Sequence, residues 1–246
     1  SILRKTSKVP IVTNADYGIP GWVCEDTLVV ACSNSGNTEE TLAATSEAIK
    51  RGAKVACIAS GGKLEKLAKE ECLPLVKVPG GFPPRSQFAT SLLNLSWTLV
   101  RFGIFPEKLY QELAETAVST KENAANVEER AAAISELIEA KQIHIYSDTN
   151  MECVALRWRQ QLNENSKLLV NSHVFPELNH NELVGWASGS DQDIVIILRT
   201  PEDSKRTQVR MDLSAEIFQE MGADVIFVDP DGEDQMQRLM DLVFLG

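Results

Sequence analysis

The chain has 246 residues, enough for one large domain or two small ones that each bury a core. Its formal net charge of −11 argues against nucleic acid or an anionic membrane surface as partner, and an anionic substrate would have to be held locally against the overall field. Its five cysteines form no paired framework and no Cys-x-x-Cys, no signal peptide is visible, and no apolar stretch approaches membrane-spanning length, so the setting reads as reducing and cytoplasmic, with Cys32, Cys57 and Cys153 as small core residues.

In chain order, Val9 to Thr13 reads as a first strand and Thr27 to Cys32 as a second. Thr38 to Arg51 has helical periodicity, with Gly52 as its stop. Lys54 to Ala59 is a buried strand, Gly62 to Glu70 a helix and Leu75 to Val78 a further strand. Such alternation implies a parallel, doubly wound sheet, whose ligands bind at the carboxyl ends of the strands. The rigid loop Pro79 to Arg85 leads into an apolar helix from Ser86 to about Phe102. Pro106 to about Ala140 is acidic, alanine-rich and helical, one or two linking helices with a solvated face.

A second α/β pattern follows. It has strands at Gln142 to Tyr146, Lys167 to Val170, Asp193 to Leu198 and Asp224 to Val228. Its helices run from Glu152 to Asn163, from Asp203 to Met221 and onward from Glu233. The expected division is a first lobe over 1–105, linking helices over 106–140 and a second lobe over 141–246, with a cleft between the lobes. The first residue is Ser rather than Met, and a strand pattern follows almost directly. A longer gene product is expected.

Chemistry concentrates in four places. The loop from Cys32 to Thr41 presents Ser33, Ser35, Gly36 and Thr38 just ahead of a helix N-terminus. Free N–H groups and the positive end of the helix dipole favour an anion there. It has neither a P-loop lysine nor a dinucleotide fingerprint, so a small phosphorylated metabolite fits better than a nucleotide. Spacing alone leaves phosphate and a plain cap by Ser35, Asn37 or Thr38 equally open. Pro83 and Pro84 restrict the backbone before Arg85, whose guanidinium suits phosphate or a developing oxyanion. In the second half, Gln161 to Lys167 and Phe175 to Trp186 are dense in polar groups. On the residues alone, Glu164, Glu177 and Glu182 stand equal as a base. His180 reads as readily as a surface histidine, His144 as structural, and His173 as supporting or exposed. The Asp229 to Asp234 run lacks a calcium-loop pattern and reads as a turn and helix start.

Ser-Asn-Ser-Gly-Asn-Thr-Glu-Glu-Thr resembles the phosphate loop of the sugar isomerase (SIS) domain. Pro-Pro-Arg, Asn163-Glu164-Asn165-Ser166-Lys167 and Asn179-His180-Asn181-Glu182-Leu183-Val184-Gly185-Trp186 narrow the resemblance to the bifunctional phosphoglucose/phosphomannose isomerases of archaea and bacteria. The resemblance implies two SIS lobes, each a flavodoxin-like parallel sheet flanked by helices. It implies phosphate binding by Ser33, Ser35 and Thr38, Glu164 as the base, His180 as the ring opener and Arg85 in the sugar-phosphate site. No metal or cofactor is expected. The expected substrate is a hexose 6-phosphate and the active unit a homodimer, with the histidine supplied across the subunit interface. Relatives carry a Gly-Gly-Ser loop before the first matched strand and a terminal helix with a lysine, neither of which is found here. A non-catalytic sugar-phosphate sensor and another SIS enzyme for amino-sugar phosphates remain as alternatives.

Overall fold

Two parallel sheets organise residues 7–246, the part of the chain described by the computed structural model. Each belongs to its own compact unit, Ser7–Gln111 and Glu112–Gly246. In the first unit, β1 (Leu28–Ser33), β2 (Lys54–Ala59) and β3 (Leu75–Lys77) pair in that order. The crossovers are α1 (Glu39–Lys50) and α2 (Gly62–Glu70). Ala48, Ala68, Cys57 and Ala59 are small and buried around Val55 and Leu64. Small side chains let the helices lie close to the sheet. A 3-10 turn (Pro84–Gln87) leads into α3 (Phe88–Arg101), and the boundary between the units falls within α4 (Lys108–Glu122).

The second unit continues with α5 (Ala124–Leu137), β4 (Gln142–Asp148), α6 (Glu152–Gln161), β5 (Asn171–Phe175) and the single turn α7 (Glu182–Gly185). It ends with β6 (Asp193–Leu198), α8 (Lys205–Glu220), β7 (Asp224–Val228) and α9 (Gln235–Leu245). The strand order is β5-β4-β6-β7, all parallel. Ile194 through Leu198 are all buried, because an inner parallel strand is covered on both faces and reads as an unbroken apolar run. One face of the sheet packs Tyr146, Phe175, Val195 and Ile197 against Trp186, Met211 and Phe218.

Three expectations are corrected. Residues 9–13 form no strand; Val9, Ile11 and Val12 are exposed, and Pro10 removes a donor from any ladder there. Cys57 is buried, but Cys32 and Cys153 are exposed, Cys32 on the edge strand β1 and Cys153 in the first turn of α6. The strand expected at Lys167 to Val170 lies instead at Asn171–Phe175. Lys167 is left-handed, with φ of 60°, and the Val170 N–H donates to Asn163 Oδ1 at 3.2 Å, so this stretch closes a turn instead of joining the sheet. Asp234 starts α9 by accepting from the N–H groups of Met236 and Gln237.

His144 belongs to the framework. Its Nε2 lies 3.1 Å from Asp193 Oδ1, and its ring meets Trp186 edge-on at 4.8 Å. Burial alone would raise the Asp193 pKa, but hydrogen bonds from His144 and Ser190 outweigh it and hold the carboxyl below its ordinary range. A lowered folded-state pKa gives stability that is complete above the ordinary carboxylate range and disappears as pH falls through the lowered value. Asp193→Asn is therefore expected to flatten the acid limb of stability, read by denaturant unfolding from about pH 6 down to about pH 2.

Candidate active site

β1 ends at Ser33, and the chain turns through Asn34–Asn37 to Thr38, the N-cap of α1. Thr38 caps with its backbone alone, its carbonyl accepting from Leu42 N–H at 3.0 Å. Its hydroxyl is turned back to the buried Ser33, 2.8 Å from Ser33 Oγ. Ser33 Oγ also accepts from the N–H groups of Gly36 and Thr38 at 3.1 and 3.4 Å. Ser33 is thus the hub of the loop, while the hydroxyl-bearing Ser35 and Thr38 are exposed around it. Side-chain capping, the plain alternative for Thr38, is not formed. Glu39 and Glu40 occupy the first turn of α1, where their charge offsets part of the helix dipole. The same two carboxylates, Glu40 first, raise the pKa of Tyr17.

The loop is interlocked with the one after β2. Gly36 has φ of 69°, and a Cβ there would lie 1.8 Å from the Gly61 carbonyl oxygen. Gly62 has φ of 72°, and its Cβ would lie 2.5 Å from the Ser35 carbonyl oxygen. Ser60 donates both N–H and Oγ to the Asn34 carbonyl, at 2.9 and 2.6 Å. Leu64 N–H donates to Gly36 O at 2.9 Å, and Lys63 N–H to Asn37 Oδ1 at 3.1 Å. Sequence reasoning read Gly62 only as a helix start and passed over Ser60-Gly61-Gly62. The signal was a glycine pair directly after a buried strand.

Arg85 follows β3. A Cβ on Gly80 would sit 3.5 Å from Ser60 Cβ, so this loop leaves beside the Ser60 turn. Both N–H and Oγ of Ser86 donate to the Pro83 carbonyl, at 3.0 and 2.8 Å, and the buried Gln87 donates to the Phe82 carbonyl at 3.3 Å. These bonds fix the turn that carries Arg85 at the surface. Ser33, Ser35 and Thr38 therefore stand on the carboxyl edge of the sheet, where α/β proteins bind ligands, and Arg85 follows in the connection that leaves β3.

In the second unit α6 widens at its end into a π turn, Leu162–Ser166. Such turns carry an extra residue and recur at functional sites. Glu164 lies in it, exposed, and Lys167 Nζ donates to the Glu164 carbonyl. His180 closes a 3-10 turn (Glu177–His180) after the cis Phe175–Pro176 bond and is exposed. Of the two other acids, Glu177 accepts from Asn181 Nδ2 at 2.9 Å. Glu182 is half-buried and accepts from the Tyr146 hydroxyl, which in turn accepts from Trp186 Nε1 at 3.2 Å. Burial, then the Glu182 carboxylate, pushes the Tyr146 pKa far up. This network links β4 to the β5–β6 crossover and left no local mark in the sequence.

Topology separates Glu164 from His180 within this unit. The π turn enters β5 at its amino end, and the His180 turn leaves it at its carboxyl end. Five strand residues intervene, on the order of 15 Å. α6 crosses from β4 to β5, and residues 176–192 cross back past β4 to β6. Right-handed crossovers in opposite directions lie on opposite faces of a sheet. An open cleft of about 630 Å³ elsewhere in the unit is lined by Glu115, Asn123, Gln237 and Asp241 among others. The buried Asp241 there is satisfied by Arg130, Asn123 and the Asp231 N–H, so the cleft wall is framework.

Residues 127–246 match the family model described as bacterial phospho-glucose isomerase C-terminal SIS domain. In fold, the chain is similar to the C-terminal domain of glucosamine-fructose-6-phosphate aminotransferase from Francisella tularensis, with TM-score 0.74 and 17% identity over 99% of this chain and 75% of that one. A bifunctional phosphoglucose/phosphomannose isomerase of Aquifex aeolicus is 34% identical over 96% of this chain and 72% of its own length. One of Caldicellulosiruptor bescii is 32% identical over 97% of this chain and 74% of its own. On that extent of identity, the chain belongs to the family of bifunctional phosphoglucose/phosphomannose isomerases.

Proposed function

We propose that the chain is an aldose–ketose isomerase interconverting glucose 6-phosphate and mannose 6-phosphate with fructose 6-phosphate through a cis-enediol. Family membership carries the reaction, and the hydroxyl loop on the carboxyl edge of the first sheet supports the phosphate. The phosphate rests on the Ser33, Ser35 and Thr38 hydroxyls, with Ser33 aligning Thr38 from beneath. His180 opens the ring by moving a proton from the anomeric hydroxyl to the ring oxygen. Glu164 takes the proton from C2 of the open aldose and returns it at C1, while a proton passes from the C2 hydroxyl to the C1 oxygen, which leaves the ketose. Arg85 stabilises the negative charge on the enediolate oxygens. Glucose and mannose 6-phosphate differ only at C2 and share one enediol, so one base on one face serves both.

The same reading extends to the organisation of the protein. Each of the two units carries an SIS lobe of flavodoxin type, and the linking helices of 106–140 are divided between them. The enzyme is a cytoplasmic homodimer. The separation of Glu164 and His180 on opposite faces of one sheet supports this, because a hexose touching both would draw them from two copies. The deciding experiment supplies fructose 6-phosphate to the full-length protein and detects glucose 6-phosphate and mannose 6-phosphate separately. Both products are expected. Binding without product would favour a sensor, and turnover of amino-sugar phosphates alone would favour another SIS enzyme.

A further inference from the structure

The backbone around His180 is tied down on both sides of that residue. Before it, Asn179 Nδ2 donates to Ser214 Oγ at 2.8 Å, and Asn179 Oδ1 accepts from Arg210 Nη1 at 3.3 Å, both partners on α8. After it, Asn181 Oδ1 caps α7 by accepting from Glu182 N–H at 2.6 Å, and the Glu182 carboxylate accepts from the fully buried Tyr146. The His180 ring is exposed and has no side-chain hydrogen bond among the described residues. Its direction is therefore set by its backbone, and that backbone by its neighbours. Removing the Tyr146 hydroxyl would leave Glu182 half-buried without its donor. The carboxylate would turn outward to water and release the first turn of α7, two residues from His180.

We propose that Tyr146 is a positioning residue for ring opening: it holds Glu182, and Glu182 fixes the turn that presents His180 to the sugar. The inference rests on the reading of His180 as the ring opener. Positioning of this kind is worth a measurable factor because proton transfer is sensitive to displacements on the order of 1 Å.

The test follows anomer interconversion of glucose 6-phosphate by exchange NMR in the full-length protein, beside affinity for inorganic phosphate as a competitive inhibitor. Tyr146→Phe is expected to slow catalysed anomerisation about tenfold, with phosphate affinity changed by less than about twofold. His180→Ala should reduce anomerisation to the uncatalysed background, and the double variant should equal His180→Ala, the non-additivity of one acting through the other. Glu182→Gln keeps an acceptor for Tyr146 and should retain most of the rate, whereas Glu182→Ala should match Tyr146→Phe. Wild-type anomerisation in both Tyr146→Phe and Glu182→Ala, with His180→Ala inactive, overturns the positioning role and leaves the reading of His180 standing. Full anomerisation in His180→Ala overturns both. If Tyr146→Phe fails to fold, the Glu182 pair decides alone, and equal rates for Gln and Ala reject the proposal.

Discussion

Glu164→Gln is expected to lower conversion of fructose 6-phosphate by about a thousandfold while leaving its binding within about twofold. The amide has the shape of the carboxylate and cannot take a proton from carbon. Glu164 is exposed on its π turn, and Lys167 donates to its backbone carbonyl, a contact that the substitution keeps. The loss is expected in the chemical step, and denaturant unfolding of the variant checks the fold beside it. Glu177→Gln and Glu182→Gln serve as controls. Glu177 bonds to Asn181 and Glu182 to Tyr146, and an amide can preserve either contact. Steady-state rates with calorimetric binding check the expectation, and undiminished turnover in Glu164→Gln removes this residue from the reaction.

The second large effect is expected at Gly36. Alanine there would place its Cβ 1.8 Å from a backbone oxygen, at φ of 69°. No side chain can swing away to relieve that overlap, so the Ser33–Thr38 loop must part from the Gly61 turn. A loss of about 3 kcal/mol in stability is expected, and at least a tenfold loss in affinity for inorganic phosphate. Gly103 separates strain from contact, since it has φ of 72° but nothing within 4 Å of its would-be Cβ. Gly103→Ala should cost only about 1 kcal/mol and leave affinity alone. Equal behaviour of the two variants in denaturant unfolding and inhibition assays would show that the interlock has no consequence.

Much of the fold could be read along the chain because its signals are local. Asp193–Leu198 and Asp224–Val228 are short apolar runs between turn residues, and both are strands over those residues. Gly62–Glu70 is a helix where periodicity placed it. The failures came where a distant or irregular contact decides. Val9 to Thr13 has strand composition but Pro10 within it and no strand partner among the described residues. The π turn at Leu162–Ser166 is almost wholly polar and cannot be told from an ordinary helix end by its sequence, so the strand after it was placed four residues early. Within the candidate site, the hydroxyl loop was legible as a cluster ahead of a helix. Its docking on Gly61 and Gly62, and the hold of Tyr146 on Glu182, join residues 25 or more positions apart and leave no periodic trace.

The brace between the Asn34–Asn37 and Ser60–Lys63 stretches has a consequence for selectivity. Backbone meets backbone there, across glycines that admit no other residue, so the floor of the hydroxyl loop cannot spread, and a phosphate site proposed there could not widen for a bulkier guest. Discrimination should follow from shape fixed in advance more than from charge, and a tetrahedral group that fits would be favoured over planar acids of equal charge.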